Sequence, residues 1–357
     1  MIDFVSNQEI IAAARQNLEQ GPWDYLVGGS ESETTMRRNR LGLDRIAFRP
    51  RVLRDVSTVD PSGTLLGHAL RIPVLLAPIG SLQMFADGGA AASAVAAATF
   101  GTIPVISSLT QPSLEQTAAA STGPKVYQLY VTGDWDWVCN TLTRVKQAGY
   151  VALCLTVDSA AYSRRERQMI DRYLPPARQA PPDPKWRASV TWEMLDRIKS
   201  FAGLPFMLKG ITSVEDALMA VEHGVDAIWV SNHGGRQLDH ARGSIDVLPE
   251  IVQAVARRAR IVFDSGILRG SDVIKALALG ADAVAIGKLQ GWGLAAGGEA
   301  GLVRVLELLE DEIRISMALL GVTCLDQLDP SYLRPVEPVA FPHEMSAFPG
   351  ISEPRLI

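Results

Sequence analysis

The chain has 357 residues, of which 47% are hydrophobic and 20% are charged, a composition typical of a folded globular protein. Its net charge of −5 offers no broad positive surface to nucleic acid or to an anionic membrane, so a small molecule is the expected partner. No signal peptide and no membrane-spanning run is found, and three widely separated cysteines indicate neither a zinc site nor disulfides. We therefore expect a cytoplasmic protein without a metal.

Residues 1–70 come first in chain order, and we predict helices there at roughly 7–19 and 22–40. Short apolar runs then recur, each followed by a polar or glycine-containing loop and a helical stretch such as 213–224 or 271–280, where serine caps the start and glycine follows the end. Continuous apolar runs are typical of parallel strands buried on both faces. The eight predicted strands are 73–78, 104–108, 126–130, 151–158, 205–210, 227–233, 261–266 and 283–287.

Eight strand–helix units with short connections favour a closed α/β barrel, the (β/α)8 TIM barrel, over 71–320. An open doubly wound sheet stays possible, although no GxGxxG follows the first strand. The prediction is thus one domain with an N-terminal helical extension (1–70) and a C-terminal tail or arm (321–357). Residues 166–190 carry five prolines and are predicted to form a lid over the site.

Polar side chains collect at the carboxyl ends of the predicted strands, where a barrel places its active site. His233 alone of the five histidines directly follows a strand, which makes it the candidate base, and Asp158 could orient it. Arg165 and Arg236 offer planar forks that suit a carboxylate, and Lys209 offers a fixed positive charge. The loops at 264–272 and 286–293 occupy the usual phosphate site of a barrel, where glycines and a helix N-terminus near Ser271 would favour a phosphate cofactor.

Several motifs in order resemble one family. SNHGGRQLD at 231–239, together with WDYLVGG, YQLYV, LTVD…RRE, LKG, FDSG and KALALGAD, is similar to the FMN-dependent 2-hydroxy acid oxidases and dehydrogenases. The resemblance runs from about residue 7 to 328, and APIG and SVTWE look most like the lactate 2-monooxygenase branch. It implies oxidation of a small L-2-hydroxy acid to the 2-keto acid with FMN as cofactor. It also implies reoxidation by O2 or another acceptor and a homo-oligomer, in relatives often a tetramer.

The resemblance implies a role for each matching position. His233 would be the base, supported by Asp158, with flavin N5 as hydride acceptor and Lys209 beside the anionic edge of the reduced flavin. The substrate would be held by Tyr25, Tyr130, Arg165 and Arg236. The remaining matches would hold FMN: Pro78, Ile79, Gly80, Ser107, Gln128, Thr156, Ser231, Asp264, Ser265, Gly266, Gly287 and Lys288.

A few positions depart from the family pattern. Leu268 and Lys288 stand where the family has arginines near the FMN phosphate, and Arg269 is the candidate to replace the one lost at Leu268. Leu109 stands where glycolate oxidase has tryptophan, which would widen the pocket, and Gly80 matches the small residue of other branches.

Three alternatives remain open from the sequence. Retention of the product would give oxidative decarboxylation of the lactate 2-monooxygenase type. A flavin- or phosphate-binding barrel isomerase without net redox change is another, although paired Arg165 and Arg236 fit a carboxylate better. The departures at Leu268 and Lys288 also allow a barrel that binds a metabolite without turnover.

Overall fold

The computed structural model describes residues 3–179, 181–339 and 345–348. Its centre is an eight-stranded parallel sheet. Each strand overlaps one predicted run, and each of its ends lies within three residues of the predicted end. The strands are β1 (Val74–Leu76), β2 (Val105–Ser107), β3 (Val126–Leu129), β4 (Ala152–Thr156), β5 (Phe206–Ile211), β6 (Ala227–Val230), β7 (Arg260–Phe263) and β8 (Ala283–Ile286).

The sheet closes into a barrel. Hydrogen bonds join β1 to β8, β8 to β7, and so on down to β2. Every one of these strand pairs is parallel. A parallel bridge between Leu76 and Pro104 joins the two ends of that order, and the Leu76 amide donates to the Ile103 carbonyl at 3.1 Å. The prediction of a (β/α)8 barrel is confirmed, and the doubly wound alternative is wrong.

Each strand is buried on both faces, which explains the continuously apolar runs. Inward-facing Val105, Cys154, Met207, Trp229 and Val262 pack together inside the barrel. The alternate residues of the same strands pack outward against the helices. This arrangement follows from the two-residue period of a strand.

Helices surround the barrel and are numbered here in chain order. The N-terminal helices are α1 (Asn7–Asn17), α2 (Gln20–Val27) and α3 (Thr34–Asp44). The barrel helices are α4 (Gly89–Phe100), α5 (Leu114–Ala119), α6 (Trp135–Gln147), α10 (Trp192–Ala202), α11 (Val214–Glu222), α12 (Ser244–Val255), α13 (Gly270–Ala278) and α14 (Lys288–Leu320), the last interrupted by non-helical backbone at Gly297 and Gly298. Among the described residues, no helix is both long and apolar enough to cross a membrane.

The prediction of one helix over 22–40 is wrong, because α2 ends at Val27 and α3 begins at Thr34. Glu31 and Glu33 adopt positive φ angles of 46° and 58°, which no helix tolerates. The turn is held from outside: the Ser30 amide donates to the Gly235 carbonyl at 2.9 Å, and the Glu31 amide donates to the Arg164 carbonyl at 2.7 Å. The break therefore docks the N-terminal segment onto the loops after β4 and β6.

The proline-rich segment 166–190 contains three short helices: α7 (Glu166–Ile170), α8 (Pro176–Gln179) and α9 (Lys185–Ala188). The Ala177 amide donates to Ser81 Oγ at 3.0 Å, which ties α8 to the loop after β1. Pro175, Ala177, Arg178 and Arg187 line the cavity at the barrel mouth. The segment thus covers the carboxyl ends of the strands, as expected of a lid.

Two further sheets of two short strands each lie outside the eight-stranded sheet. A hairpin of Gly63–Leu65 and His68–Leu70 puts Leu65 and Leu70 among the inward-facing apolar residues. In the predicted tail, Leu333–Pro335 pairs antiparallel with Ile46–Phe48. Residues 340–344 and 349–357 of that tail lie outside the described residues.

Candidate active site

The predicted polar residues occupy one layer at the carboxyl end of the barrel interior. Because side chains alternate along a strand, the position two residues beyond each inward-facing core residue also faces inward. Those positions are Ser107, Gln128, Thr156, Lys209, Ser231 and Asp264, and all six are buried. The strand register therefore places a buried polar layer on top of the apolar interior.

A cavity of about 1440 Å³, counted out to its open mouth, lies above this layer. The predicted residues that line it are Tyr25, Pro78, Ile79, Gly80, Tyr130, Arg165, Lys209, His233, Arg236, Asp264, Ser265, Gly266, Gly287 and Lys288.

A tight turn after β6 presents His233 to the cavity. His233 has a φ of +60°, and its amide donates to Ser231 Oγ at 3.0 Å. Asn232 fixes the turn from below, since its amide group exchanges hydrogen bonds of 2.6 and 2.9 Å with that of Asn39 on α3. Gly235, at φ +74°, admits no side chain, because a Cβ there would lie 2.4 Å from the Met36 backbone nitrogen.

His233 and Asp158 form a hydrogen-bonded pair. The imidazole Nδ1 lies 2.8 Å from Asp158 Oδ1, and Nε2 lies 3.4 Å from the Tyr130 hydroxyl. With the carboxylate as acceptor, Nδ1 carries the proton and the Nε2 lone pair faces the cavity. Burial would raise the pKa of Asp158, but its interaction with His233, which includes their hydrogen bond, and the charge of Lys209 outweigh burial and hold that pKa below its usual range.

The pKa of His233 is lowered. Burial favours the neutral imidazole, and Asp158 offsets this effect only in part. His233 is therefore uncharged at neutral pH and able to accept a proton at Nε2, which are the properties that general base catalysis needs.

Two guanidinium groups converge beside this pair. Arg236 Nη1 donates to the Gly28 carbonyl at 2.7 Å, and its guanidinium lies 5.0 Å from the centre of the Tyr25 ring. Burial, and then the nearby charge of Arg165, lower the pKa of Arg236. Two cations forced together in a buried site favour a bound anion, and guanidinium forks match a carboxylate.

Lys209 lies at the centre of the polar layer. Its Nζ donates to Ser231 Oγ at 2.7 Å and pairs with Asp264 Oδ2 at 3.2 Å. Burial alone would lower the pKa of Lys209, but Asp264 and Asp158 raise it above its usual value. The site therefore keeps a fixed positive charge under the cavity.

Orphaned polar atoms show that the cavity floor is built for a polar ligand. Within the described residues, both amide atoms of Gln128 and the hydroxyl of Thr156 are buried without a hydrogen-bond partner. Buried polar atoms in native proteins are almost always paired, so these atoms await a ligand. They lie in the same buried layer as Lys209, which lines the cavity, and their amide and hydroxyl groups suit the polar ring system of a flavin.

The phosphate end of the cavity differs from the expectation at α13. The Asp272 carboxylate accepts from the amides of Leu268 and Arg269, both at 3.1 Å, and Glu312 accepts from the Gly270 amide at 2.6 Å. The two amides just before α13 and the amide of its first residue are thus already bound by protein carboxylates. The helix N-terminus that lines the cavity is that of α14, at Gly287 and Lys288.

Arg269 does not reach the cavity. Its guanidinium pairs with Glu312 at 2.8 Å and lies over the Phe348 ring, so it cannot replace the arginine absent at Leu268. Arg40 lines that end instead, with its two Nη atoms 2.7 and 2.8 Å from Asp272. Arg40 was not predicted as a site residue, because an arginine in the helix α3 carries no motif of its own.

Other residues that the sequence analysis did not assign also line the cavity. Asn39 and Met36 come from α3, Tyr162 follows β4, and Arg178 and Arg187 come from the proline-rich segment. A usable signal was present for the last two, since they are cations in a segment already predicted to be a lid.

Comparisons with known proteins agree with this geometry. The family model described as FMN-dependent dehydrogenase matches residues 14–335. An L-lactate oxidase of Nostoc sp. is 41% identical over 347 residues, which cover 90% of this chain and 95% of that protein. A peroxisomal (S)-2-hydroxyacid oxidase of Arabidopsis thaliana is 37% identical over 94% of this chain and 97% of its own length.

Solved structures agree as well. A mandelate oxidase variant with a C4a-OH-FMN adduct is 37% identical and superimposes with a TM-score of 0.82, over 89% of this chain and 96% of that one. The family match at residues 14–335 spans the whole barrel together with α2 and α3. The chain belongs to the FMN-dependent dehydrogenase family, and it is an oxidoreductase that uses FMN to act on a CH–OH group.

Proposed function

We propose that this protein oxidises an L-2-hydroxy acid to the 2-keto acid with His233 as the base. The observation that carries the proposal is the neutral imidazole of His233, backed by Asp158 and facing the same cavity as Arg165 and Arg236. FMN, when bound, supplies the acceptor for two electrons. The isomerase alternative loses its support, because the family is one of redox enzymes.

Each of the residues around the proposed substrate then has a role in the reaction. Arg165 and Arg236 hold the substrate carboxylate, with Tyr25 packed against Arg236. Burial raises the pKa of Tyr130, so its hydroxyl stays protonated and donates to the substrate oxygen. His233 Nε2 takes the proton of the 2-hydroxyl, and Asp158 stabilises the imidazolium that forms.

FMN would be held by the buried polar layer, by the loop at 78–80 and by the phosphate end. Gln128, Thr156, Ser107 and Ser231 would meet the flavin ring, with Lys209 as a positive charge beside it. Asp264, Ser265, Gly266, Gly287 and Lys288 would surround the remainder of the cofactor. O2 is the proposed oxidant, since the similar proteins are named as oxidases.

The cytoplasmic location and the homo-oligomer stay predictions. One of the similar proteins is named as peroxisomal. The tetramer rests on the family resemblance.

The test of the function is the visible spectrum of the purified protein, before and after anaerobic addition of L-lactate, L-mandelate and longer L-2-hydroxy acids. We expect a flavin spectrum that at least one L acid bleaches, while the D enantiomers leave it unchanged. A flavin-loaded protein that no L-2-hydroxy acid bleaches would contradict the proposal. A protein that binds no FMN would favour a barrel without turnover.

Replacing Lys288 with methionine should weaken FMN binding. Lys288 lines the phosphate end of the cavity, and its Nζ donates to the Val27 carbonyl at 2.7 Å. A hydrogen bond to a charged group contributes about 1.5–3 kcal/mol, so the Kd for FMN should rise roughly 10- to 150-fold. Fluorescence titration of apoprotein with FMN measures this change.

Arg269→Met is the matched control, because Arg269 pairs with Glu312 outside the cavity. Its Kd for FMN should stay within about threefold of the wild-type value, after unfolding curves confirm that both variants fold. Equal weakening in the two variants would mean that Arg269 reaches the phosphate in solution, and the assignment of Lys288 would be wrong.

A further inference from the structure

The cavity carries more positive charge than one substrate carboxylate requires. Five arginine side chains line it: Arg40, which is paired with Asp272 at the phosphate end, and Arg165, Arg178, Arg187 and Arg236. Within the described part of the chain, Asp264 is the one acidic side chain in its lining, and Asp264 is already paired with Lys209. The carboxylate of a monoacid neutralises one charge of this group, so the remaining cations need another partner.

Arg187 lies against Tyr130, the tyrosine beside the proposed base. Its guanidinium carbon is 4.3 Å from the centre of the Tyr130 ring and 5.0 Å from that of Tyr162. The hydroxyl of the same Tyr130 lies 3.4 Å from His233 Nε2. Arg187 is thus about one tyrosine ring away from the atom that would accept the substrate proton.

Two of the three donor nitrogens of Arg187 are buried and unused. Within the described residues, its Nε and Nη2 atoms have no exposed surface and no hydrogen-bond partner. Stacking on aromatic rings stabilises the cation but leaves these N–H groups without acceptors. A guanidinium buried in this way is prepared for a planar anion that accepts two hydrogen bonds.

Arg178 approaches the same place from α8. Its guanidinium carbon lies 4.1 Å from the centre of the Tyr162 ring, so Tyr162 contacts both lid arginines. Burial lowers the pKa of Arg165, and the charge of Arg178 contributes to that decrease. The two lid cations and the carboxylate site therefore lie within electrostatic reach of each other.

These cations are not placed for the FMN phosphate. Tyr130 and Tyr162 follow β3 and β4, whereas Gly266 and Lys288 follow β7 and β8. In the observed strand order, β3 and β4 lie across the barrel from β7 and β8. Arg178 and Arg187 consequently face the substrate end of the cavity.

We propose that the preferred substrate is an L-2-hydroxy acid whose side chain ends in a second carboxylate, held between Arg178 and Arg187. The inference rests on the proposed function and specifies its substrate class. The first carboxylate binds Arg165 and Arg236, and the 2-hydroxyl faces His233. The chemistry is that of the parent reaction: the substrate loses two electrons to the bound FMN and two protons, and a 2-keto dicarboxylate forms.

The competing explanation is a purely structural latch, in which the arginines only hold the lid on its tyrosines. A latch would serve every substrate equally, whereas a carboxylate site discriminates between substrates. The test therefore compares each diacid with a neutral substrate of the same size. (S)-2-Hydroxyglutarate and its 5-amide form such a pair, with L-malate and (S)-2-hydroxyadipate as shorter and longer diacids.

For the wild-type holoenzyme, kcat/KM for one of these diacids should exceed that of its amide by roughly 10- to 100-fold, since a charged hydrogen-bonding pair replaces a neutral one. In Arg187→Met and in Arg178→Met this ratio should fall to within about threefold of one. Arg172→Met, an exposed arginine of the same segment, should retain the wild-type ratio. FMN content and circular dichroism verify each variant, and either lid variant suffices if the other fails to fold.

Two results would overturn the proposal while leaving the proposed function intact. One is a wild-type enzyme that bleaches with monoacids and shows no preference for a diacid of any length. The other is a lid variant in which kcat/KM for the diacid and for its amide fall by the same factor. If no 2-hydroxy acid reduces the flavin at all, the proposed function itself fails and the inference fails with it.

Discussion

Replacing His233 with alanine is expected to lower kcat/KM for any L-2-hydroxy acid by about 10²- to 10⁴-fold, the range that a positioned general base contributes. The loss follows from geometry, because His233 presents its Nε2 to the cavity while Asp158 holds Nδ1 at 2.8 Å. Anaerobic stopped-flow measurement of flavin bleaching isolates the step. FMN content should be unchanged, since the imidazole contacts Asp158 and Tyr130 and not the orphaned atoms of the cavity floor.

The pH dependence provides the companion measurement. The reaction needs the neutral imidazole. The value of kcat/KM should therefore be highest above the pKa of His233 and should decrease as the pH falls through that pKa. Burial places that pKa below its usual value, hence the decline should begin below about pH 6.5. Asp158→Asn keeps a hydrogen-bond acceptor but removes the charge that favours the imidazolium. Its acidic decline should therefore move to lower pH while the rate at neutral pH falls.

Two outcomes would contradict the assignment of the base. A His233→Ala enzyme with near wild-type turnover would show that another group takes the proton. An Asp158→Asn enzyme that loses activity without any shift of the acidic decline would show that Asp158 acts through structure alone.

Arg165→Met is expected to lower kcat/KM by roughly 30- to 5,000-fold, because loss of one partner from a buried charge pair costs about 2–5 kcal/mol. The guanidinium lies in the cavity wall, and burial lowers its pKa, as expected of a cation held ready for an anion. Most of the loss should appear as weaker binding of substrate in the anaerobic titration, since the base is still present.

Arg164→Met is the matched control for this variant. The two arginines are adjacent in the sequence, but Arg164 is exposed and does not line the cavity. Its kcat/KM should stay within about twofold of wild type. If both variants lose activity alike, the effect comes from disturbing the loop after β4, whose Arg164 carbonyl accepts from the Glu31 amide. The carboxylate role of Arg165 would then be wrong.

The inner layer of the site was predictable because its positions follow a local rule. Once Cys154 and Met207 are inward-facing core residues, Thr156 and Lys209 must face inward as well, and parallel strands bring their carboxyl ends to one edge. His233 could be identified because no other histidine directly follows a strand. These inferences need only the period of a strand and the order of the motifs.

The phosphate end was predicted less well. The spacing indicated a free helix N-terminus near Ser271 and a substitute cation at Arg269. In the structure, Asp272 and Glu312 already bind the amides just before α13 and at its first residue, and Arg269 turns to Glu312. Acidic residues inside a sequence do not reveal which amides they will bind, because that depends on the neighbouring helix.

The sequence by itself determined the eight-stranded barrel, the family and the residues at the strand ends, because hydrophobic periodicity and motif order are local properties. The tertiary structure decided which side chains meet above them. It split the predicted helix at 22–40 to dock on the loops after β4 and β6, and it brought Arg40 to the phosphate end. It also placed the guanidinium groups of Arg178 and Arg187 over the ring of Tyr162, a contact that no motif predicts. Such contacts depend on packing between segments distant in the chain, which no local pattern encodes.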